Sequence, residues 1–460
     1  MRPPLLLPLL FIFSVVLPQQ NVLETYIGTA LENNLALKQK QASYEKSLEA
    51  LKESKGLFMP NLSIQARYTV AQGGRTIEFP VGDMLNPVYS TLNALTSAFP
   101  PDQQFPDMQL ENEEFAFYRP TEQETKLHMV QPIYNPQIIY NKKIKGELVN
   151  TGKADAETYK RYLVAEVKVA YINYLKAVQV NLLLENTTAL LEENIRVNEK
   201  LYANDKITLD NVYRSKSELS KLGQQQAEAL KGQNMAEAYF NFLLNRPLKS
   251  SISTMDTLLL PTVYPAIDPA QNMAMERREE LQILNYYQNI TQYNYKLNSS
   301  SRLPTISAVI DYGFQGTQYE FTGEYDYMLA TVALQWNLFT GFQNKSKIQQ
   351  SLIDKDIINQ KQTETEAKIK LEVQNAYYSL ISAEQLIESA KNQEKTAKEA
   401  YRLMAKRYEQ GQANLLEYID ARNTMTDAEM NLIIAEYDYY IQYANYERTA
   451  CLFDLTPYEN

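Results

Sequence analysis

The chain of 460 residues has a single cysteine, Cys451, so no intramolecular disulfide framework can hold it. Its single histidine, His128, leaves almost no material for a metal centre or a histidine-based triad. Only 14 glycines in the whole chain argue against a loop-rich enzyme. Phosphate-cradling glycine loops, catalytic triads and clusters of metal ligands are all missing, so no enzyme, cofactor or metal is expected. Clustered Lys and Arg are missing too, and the formal net charge of −10 speaks against a nucleic-acid partner. Long apolar runs are confined to Leu5–Leu17, which Pro8 and Ser14 interrupt. This run follows Arg2 and precedes Pro18-Gln19-Gln20; it is too short to span a bilayer but fits an export signal over residues 1–20. No cysteine directly follows it, so no N-terminal lipid anchor is expected. With no later segment able to serve as a transmembrane helix, this chain can cross a membrane only as a β-barrel.

What the sequence does contain is a repeat. Glu166-Val167, Ala170-Tyr171 and Ala177 return as Glu372-Val373, Ala376-Tyr377 and Ala383, 206 positions later. The same displacement carries Lys200 and Tyr202 onto Lys406 and Tyr408. Upstream, residues 57–64 echo residues 301–308. A long internal repeat implies one duplicated structural unit standing beside its copy. The expected organisation is a first repeat over 21–247, a linker over 248–269, a second repeat over 270–452 and a tail over 453–460.

Each repeat has a pair of strand-like segments. Leu62, Ile64, Ala66, Tyr68 and Val70 alternate with Asn61, Ser63, Gln65, Arg67 and Thr69. Ile306, Ala308, Ile310, Tyr312 and Phe314 alternate in the same way, as do Met328, Ala330, Val332, Leu334 and Trp336. The remaining strand, roughly 125–133, alternates less well. Stretches of about ten residues with one apolar face suit outer-membrane barrels, with Trp336, Tyr312 and Phe314 placed for the aromatic girdles at the lipid interface. An ordinary sheet on a soluble core has the same period. Four strands cannot close a barrel; two copies would supply eight and three would supply twelve.

The helices are longer than the strands by far. Asn135-Pro136 combines a capping residue with proline at the first helical position. Helical pattern runs from there to about Asn204, and from Thr340 to about Gln410 in the second repeat. Each run of about 70 residues spans about 100 Å. Shorter helices are expected over 22–57, 208–246, 270–300 and 414–452. Ile369, Val373, Ala376, Leu380, Ala383, Ile387 and Ala390 follow heptad spacing, and Leu163, Val167, Ala170, Tyr174 and Ala177 do the same. A plain exported coiled-coil spacer without a lumen explains those seams equally well.

The order of several short motifs goes further. Ala30-Leu31-Glu32-Asn33-Asn34, Pro60-Asn61-Leu62-Ser63 and Gln131-Pro132-Ile133-Tyr134-Asn135 mark the first repeat. Arg302-Leu303-Pro304-Thr305, Trp336-Asn337-Leu338-Phe339 and Arg407-Tyr408-Glu409-Gln410-Gly411 mark the second. In this order the chain resembles the TolC family of outer-membrane efflux proteins over essentially its whole mature length. The resemblance implies a mainly α fold with a small β part. It further implies a homotrimer in which four strands per chain build a twelve-stranded barrel in outer-membrane lipid, continued by an α-barrel tunnel of long helices into the periplasm. The chain would then be a non-enzymatic, passive exit duct, energised by an inner-membrane pump reached through a periplasmic adaptor.

The resemblance also assigns residues. Tyr408 falls at the family's tip-lock tyrosine, and Glu417 and Asp420 at the carboxylates that ring the periplasmic constriction. The bland alternative for both acids is a solvated face near a helix N-terminus. Asn204, Asp205 and Lys206, with Gln410, Gly411 and Gln412, fall at the adaptor-docking tips. The first tip departs from the family, with Asp205 where glycine belongs and Asn211 where relatives often have an acid; Ala413 replaces a locking arginine. Closure resting on packing is the expectation that follows. A second departure is the long connection over 71–124, expected to be extracellular. Its Phe99, Phe105, Phe115 and Phe117 suggest a partly ordered cap that buries them.

Overall fold

A computed structural model describes residues 22–104, 108–254 and 263–455. The expected export signal, Phe105, Pro106, and parts of the 248–269 linker and of the tail lie outside the described residues. In chain order the elements are helices α1 (Val22–Asn33) and α2 (Leu35–Gly56), strands β1 (Asn61–Val70) and β2 (Thr76–Phe79), helix α3 (Val81–Thr96), and strands β3 (Glu113–Ala116) and β4 (Thr121–Tyr134). There follow helices α4 (Pro136–Ala203), α5 (Leu209–Leu243), α6 (Ile267–Arg277) and α7 (Glu279–Ser300), strands β5 (Thr305–Gly316) and β6 (Asp326–Gln335), and helices α8 (Gln343–Glu409) and α9 (Leu415–Thr449). The fold is therefore mainly helical with a small β part. Helices α4 and α8 have 68 and 67 residues. None of the described helices is long and apolar enough to cross a membrane.

The chain divides into two compact units, one of Met1–Glu49, Gly146–Gln292 and Leu352–Asn460, the other of Ala50–Lys145 and Tyr293–Ser351. The first is helical, and the repeat is written into its core twice. Leu163, Val167 and Ala170 are buried with Tyr171 and Phe240 in one cluster. Ile369, Val373, Leu380, Ala383 and Ile387 are buried with Tyr446 in the other. Phe240 and Tyr446 stand 206 positions apart, as Val167 and Val373 do, so each repeat closes its seam with an aromatic ring at the same place. Ion pairs tie the repeats together, Arg161 to Glu279 at 2.8 Å, Lys168 to Glu447 at 2.9 Å and Lys176 to Asp438 at 2.8 Å.

Periodicity over 22–57 and 270–300 predicts one helix in each stretch, and the structure breaks both. The breaks fall at Asn34 and Arg278, 244 positions apart, the same displacement that relates residues 57 and 301. Asn34 turns its side chain onto backbone, donating to the Leu243 carbonyl at 2.9 Å and accepting from the Leu37 amide at 3.0 Å. Arg278 does the equivalent work by donating Nε to the Thr449 carbonyl at 3.2 Å and pairing Nη1 with Glu372 at 2.7 Å. Leu243 and Thr449 are the last residues of α5 and α9, where carbonyls lack helical partners. A polar side chain in a helix break therefore caps the C-terminus of the returning helix in both repeats. A hydrophobic period cannot register such a break. The second long helix also starts later than expected, at Gln343, because Gly341 and Phe342 take positive φ of 61° and 64°.

The second unit holds an antiparallel sheet in the order β1-β4-β5-β6, with β1 and β6 as edges. The register aligns Ile64 with Leu127, Leu127 with Tyr312 and Tyr312 with Met328. It aligns Ser63 with His128 and His128 with Asp311 on the opposite face. Strand β4 is longer than the expected 125–133. Its weak alternation has a local cause, a register shift between Pro132 and Tyr134 where proline withholds its amide from the ladder. The 71–124 connection is shorter than expected because β4 begins at Thr121, and its described residues include β2, α3 and β3. Phe99, Phe115 and Phe117 are exposed in the chain rather than buried within the connection.

Candidate functional site

In the sheet unit the two faces have opposite chemistry. Leu62, Ile64, Tyr68 and Val70 of β1 share a face with Leu127, Tyr312, Met328 and Val332, and all are exposed; Ile64 is 76% accessible and Val332 71%. A sheet on a soluble core buries that face, so the soluble alternative does not fit this one. The other face holds a connected polar network. Asp311 accepts from Lys126 Nζ at 3.0 Å and lies 2.6 Å from His128 Nδ1. Glu124 accepts from the Tyr327 hydroxyl at 2.6 Å and pairs with Lys126 at 3.3 Å and Arg67 at 3.4 Å. The lone histidine thus belongs to a side-chain cluster on a polar sheet face.

The aromatic residues singled out from the sequence occupy both ends of the strands. Trp336 follows β6 and donates its indole N–H to the Arg302 carbonyl at 2.9 Å, just before β5 begins. Tyr312 and Phe314 lie toward the far end of β5, where Phe314 packs edge-on against Phe321 at 5.3 Å. Phe314 stands nine positions after Thr305 along β5, a span of about 30 Å before strand tilt.

In the helical unit, the α4–α5 and α8–α9 turns are built alike. The amide of Asp205 donates to the Tyr202 carbonyl at 2.9 Å and that of Lys206 to the Leu201 carbonyl at 2.9 Å. In the second hairpin the Gly411 amide donates to Tyr408 at 3.0 Å and the Gln412 amide to Arg407 at 2.8 Å. Both turns need one residue in the left-handed region, and Asp205 and Gly411 supply it with φ of 55° and 70°. Asn204, Asp205, Lys206, Gln410, Gly411 and Gln412 are all exposed.

Helix α9 begins with a capping box. The Glu417 amide donates to Asn414 Oδ1 at 2.9 Å, and the Asn414 amide donates to Glu417 Oε2 at 3.0 Å. Glu417 therefore serves the local fold whatever else it does. Asp420, one turn on, is exposed and engages no partner among the described residues.

Above the turn the hairpins are joined by hydrogen bonds. The Tyr408 hydroxyl donates to Asn198 Oδ1 at 2.9 Å, while Asn198 Nδ2 donates to Ser215 Oγ at 2.9 Å. The Tyr408 ring stacks on Tyr418 at 4.9 Å, and the Tyr418 and Tyr401 hydroxyls meet at 3.1 Å. Burial pushes the Tyr418 phenol well up, and the bond with Tyr401 pushes it the same way. The family pattern led to Tyr408 but not to Asn198, whose helical neighbours give no sign of a partner 210 positions away. Arg422 was missed as well. It is 3% accessible, 3.8 Å from Glu218, with Nε and Nη1 unpartnered among the described residues. Burial pulls its guanidinium pKa down, and Glu218 opposes the shift. The residue borders a cavity of about 60 Å³ lined also by Thr187, Lys221 and Thr426.

This geometry has counterparts among known proteins. Residues 270–448 match the family of outer membrane efflux proteins. The fold matches solved outer-membrane channels over nearly the whole chain. OprN is 14% identical with a TM-score of 0.75, covering 93% of this chain and 89% of its own. CmeC of Campylobacter jejuni is 14% identical with a TM-score of 0.75, covering 94% and 85%. VceC of Vibrio cholerae is 12% identical with a TM-score of 0.73, covering 93% and 95%. Among curated proteins no sequence match is found. The chain therefore has the long-helix fold that these outer-membrane channels share. The family match lies in the second repeat, over residues 270–448.

Proposed function

We propose that three copies of this chain form a passive duct, each giving four strands to a twelve-stranded barrel and its long helices to a periplasmic tunnel. An inner-membrane pump, reached through a periplasmic adaptor, drives the flow. One observation carries the reading: a four-stranded sheet with an exposed apolar face, a polar networked face and two free edges. Lipid is the solvent that suits the first face and a water-filled lumen suits the second. Edge-to-edge pairing between copies satisfies the free strands, which no bilayer tolerates unpaired. A coiled-coil spacer without a lumen leaves the apolar sheet face without a purpose.

The turns at Asp205 and Gly411 are the docking tips, Tyr408 with Asn198 holds the hairpins together, and Asp420 with Glu417 lines the constriction. Three copies of each acid form an anionic ring that favours cations. The assembly is tested by mass measurement in mild detergent, with a trimer expected; a stable folded monomer overturns the barrel. The constriction is tested by single-channel conductance in planar bilayers with a trivalent cation present. Glu417→Gln/Asp420→Asn should weaken block and cation preference, while the carboxamide oxygen introduced by the first substitution remains an acceptor for the cap. Unchanged selectivity and block in that variant would mean that both acids face bulk solvent.

A further inference from the structure

The connection between β1 and β4 contains an amphipathic helix turned inside out. Helix α3 meets its own chain through its polar side. Asn86 exchanges two hydrogen bonds of 2.9 Å with the backbone of Leu110, and the Asp83 amide donates to Asn112 Oδ1 at 3.1 Å. Asn112 Nδ2 in turn donates to Asp83 Oδ2 at 3.0 Å and to Glu78 Oε1 at 2.8 Å. Gly82 lies so close that a Cβ there would come within 2.2 Å of the Leu110 carbonyl oxygen. The opposite side carries Val81, Leu85, Val88, Leu92 and Leu95, spaced four, three, four and three. Leu85, Val88 and Leu95 are exposed, Val81 and Leu92 partly so, and exposed Met84 flanks the seam.

The seam takes a helix of the same repeat, because alternating four-three spacing is the pattern that interlocks two helices as knobs into holes. Its flanking positions are Gly82, Met84, Tyr89, Thr91 and Thr96, none of them charged, so identical helices meet there without repulsion. An anionic lipid surface is a poor alternative, since α3 has no Lys or Arg and its one charged residue is Asp83. The position in the chain also selects the occupant. Helix α3 hangs from β1, an edge strand, by a leader of about ten residues that reaches at most about 35 Å. It lies at the strand end that also carries the β5–β6 turn, where Thr121 Oγ1 donates to the Thr317 carbonyl and Tyr68 stacks on Tyr319.

We infer that α3 packs against α3 of neighbouring copies, forming a helical cap across the extracellular mouth of the duct. The inference rests on the oligomeric barrel proposed above. It deepens that reading by naming a surface through which the copies also meet outside the membrane.

The test uses full-length protein in outer-membrane vesicles, with Cys451→Ser as background. Val88→Cys and Leu95→Cys sit on the seam, and Ser90→Cys sits on the exposed opposite side of the same helix. Under mild oxidation the two seam variants should yield disulfide-linked dimers and Ser90→Cys none, all three being trimers by native mass. Trimers without seam cross-links, or with equal cross-linking at Ser90, overturn the cap and leave the barrel standing. A chain that does not oligomerise overturns both. Quenching by nitroxide lipids of a fluorophore attached to the Val88→Cys thiol would place α3 on the membrane and also overturn the cap. As a second readout, Leu85→Glu/Leu92→Glu should admit a bulky external glycopeptide while the trimer persists; unchanged exclusion by the intact trimer counts against a closed mouth.

Discussion

Asp205 and Gly411 occupy the same left-handed position in two equivalent turns, one with a side chain and one without. A Cβ at Gly411 would meet nothing within 4 Å, so backbone conformation, rather than crowding, is what this position requires of its residue. Gly411→Asn should therefore be mild, because short polar side chains tolerate this region. Gly411→Val should cost about 1–2 kcal/mol of local stability, since a β-branched residue there is strained. Limited proteolysis at the α8–α9 turn checks this: Val should accelerate cleavage and Asn should leave it nearly unchanged. Equal protection in both variants would show that the turn relaxes into another conformation. The same turn illustrates a residue with two duties. Glu417 is bonded into the α9 cap, so its substitution by alanine confounds any reading of lumen charge with loss of the cap, worth about 1 kcal/mol.

At the scale of the element, the helices are held by tyrosines as much as by aliphatic seams. Tyr440 is pushed up to about 12 by burial, reinforced by Glu436 and its tyrosine neighbours. Tyr446, fully buried in the second-repeat core, is pushed up to about 12 by burial and by Tyr377. In the unfolded chain these phenols ionise near 10. A raised folded pKa means that the neutral form is favoured by folding, so this contribution is complete below pH 10 and is lost as pH rises through about 12. Alkaline titration should show the phenolate absorbance lagging until helicity falls, with both changing together. Full ionisation near pH 10 with the helices intact would contradict the packing described here. Tyr446→Phe keeps the ring but strands the Pro265 carbonyl, which now accepts its hydroxyl at 2.6 Å.

At the scale of the whole molecule, adjacent residues of one strand can report opposite environments. Val332 lies on the apolar face of β6 and Thr331 on the polar face, both exposed in the chain. With the first face in lipid, Val332→Arg should cost about 2–4 kcal/mol near the midplane, while Thr331→Arg faces a lumen and costs little. Folding yield into lipid vesicles measures the difference. Equal yields would mean that the faces do not see different solvents. The polar network of His128, Asp311, Lys126 and Glu124 fits a wet lumen and has no place against hydrocarbon.

Much of this protein is decided by periodicity and can be read without coordinates. Alternation from Asn61 to Val70, heptads through Ile369 to Ile387, and the 206-residue displacement each depend only on neighbours along the chain, which is why the strands, seams and repeat are legible. Other features arise where segments distant in sequence meet, and no local pattern encodes them. Asn34 and Arg278 look like ordinary helical residues until the carbonyls of Leu243 and Thr449 arrive beside them. Tyr408 finds Asn198, and Arg422 finds Glu218, only because two hairpins pack. The inverted face of α3 is likewise invisible in its own spacing, which any buried helix could show. The polar segment at Leu110 and Asn112 takes the other side, and among the described residues the apolar seam is left mostly outward.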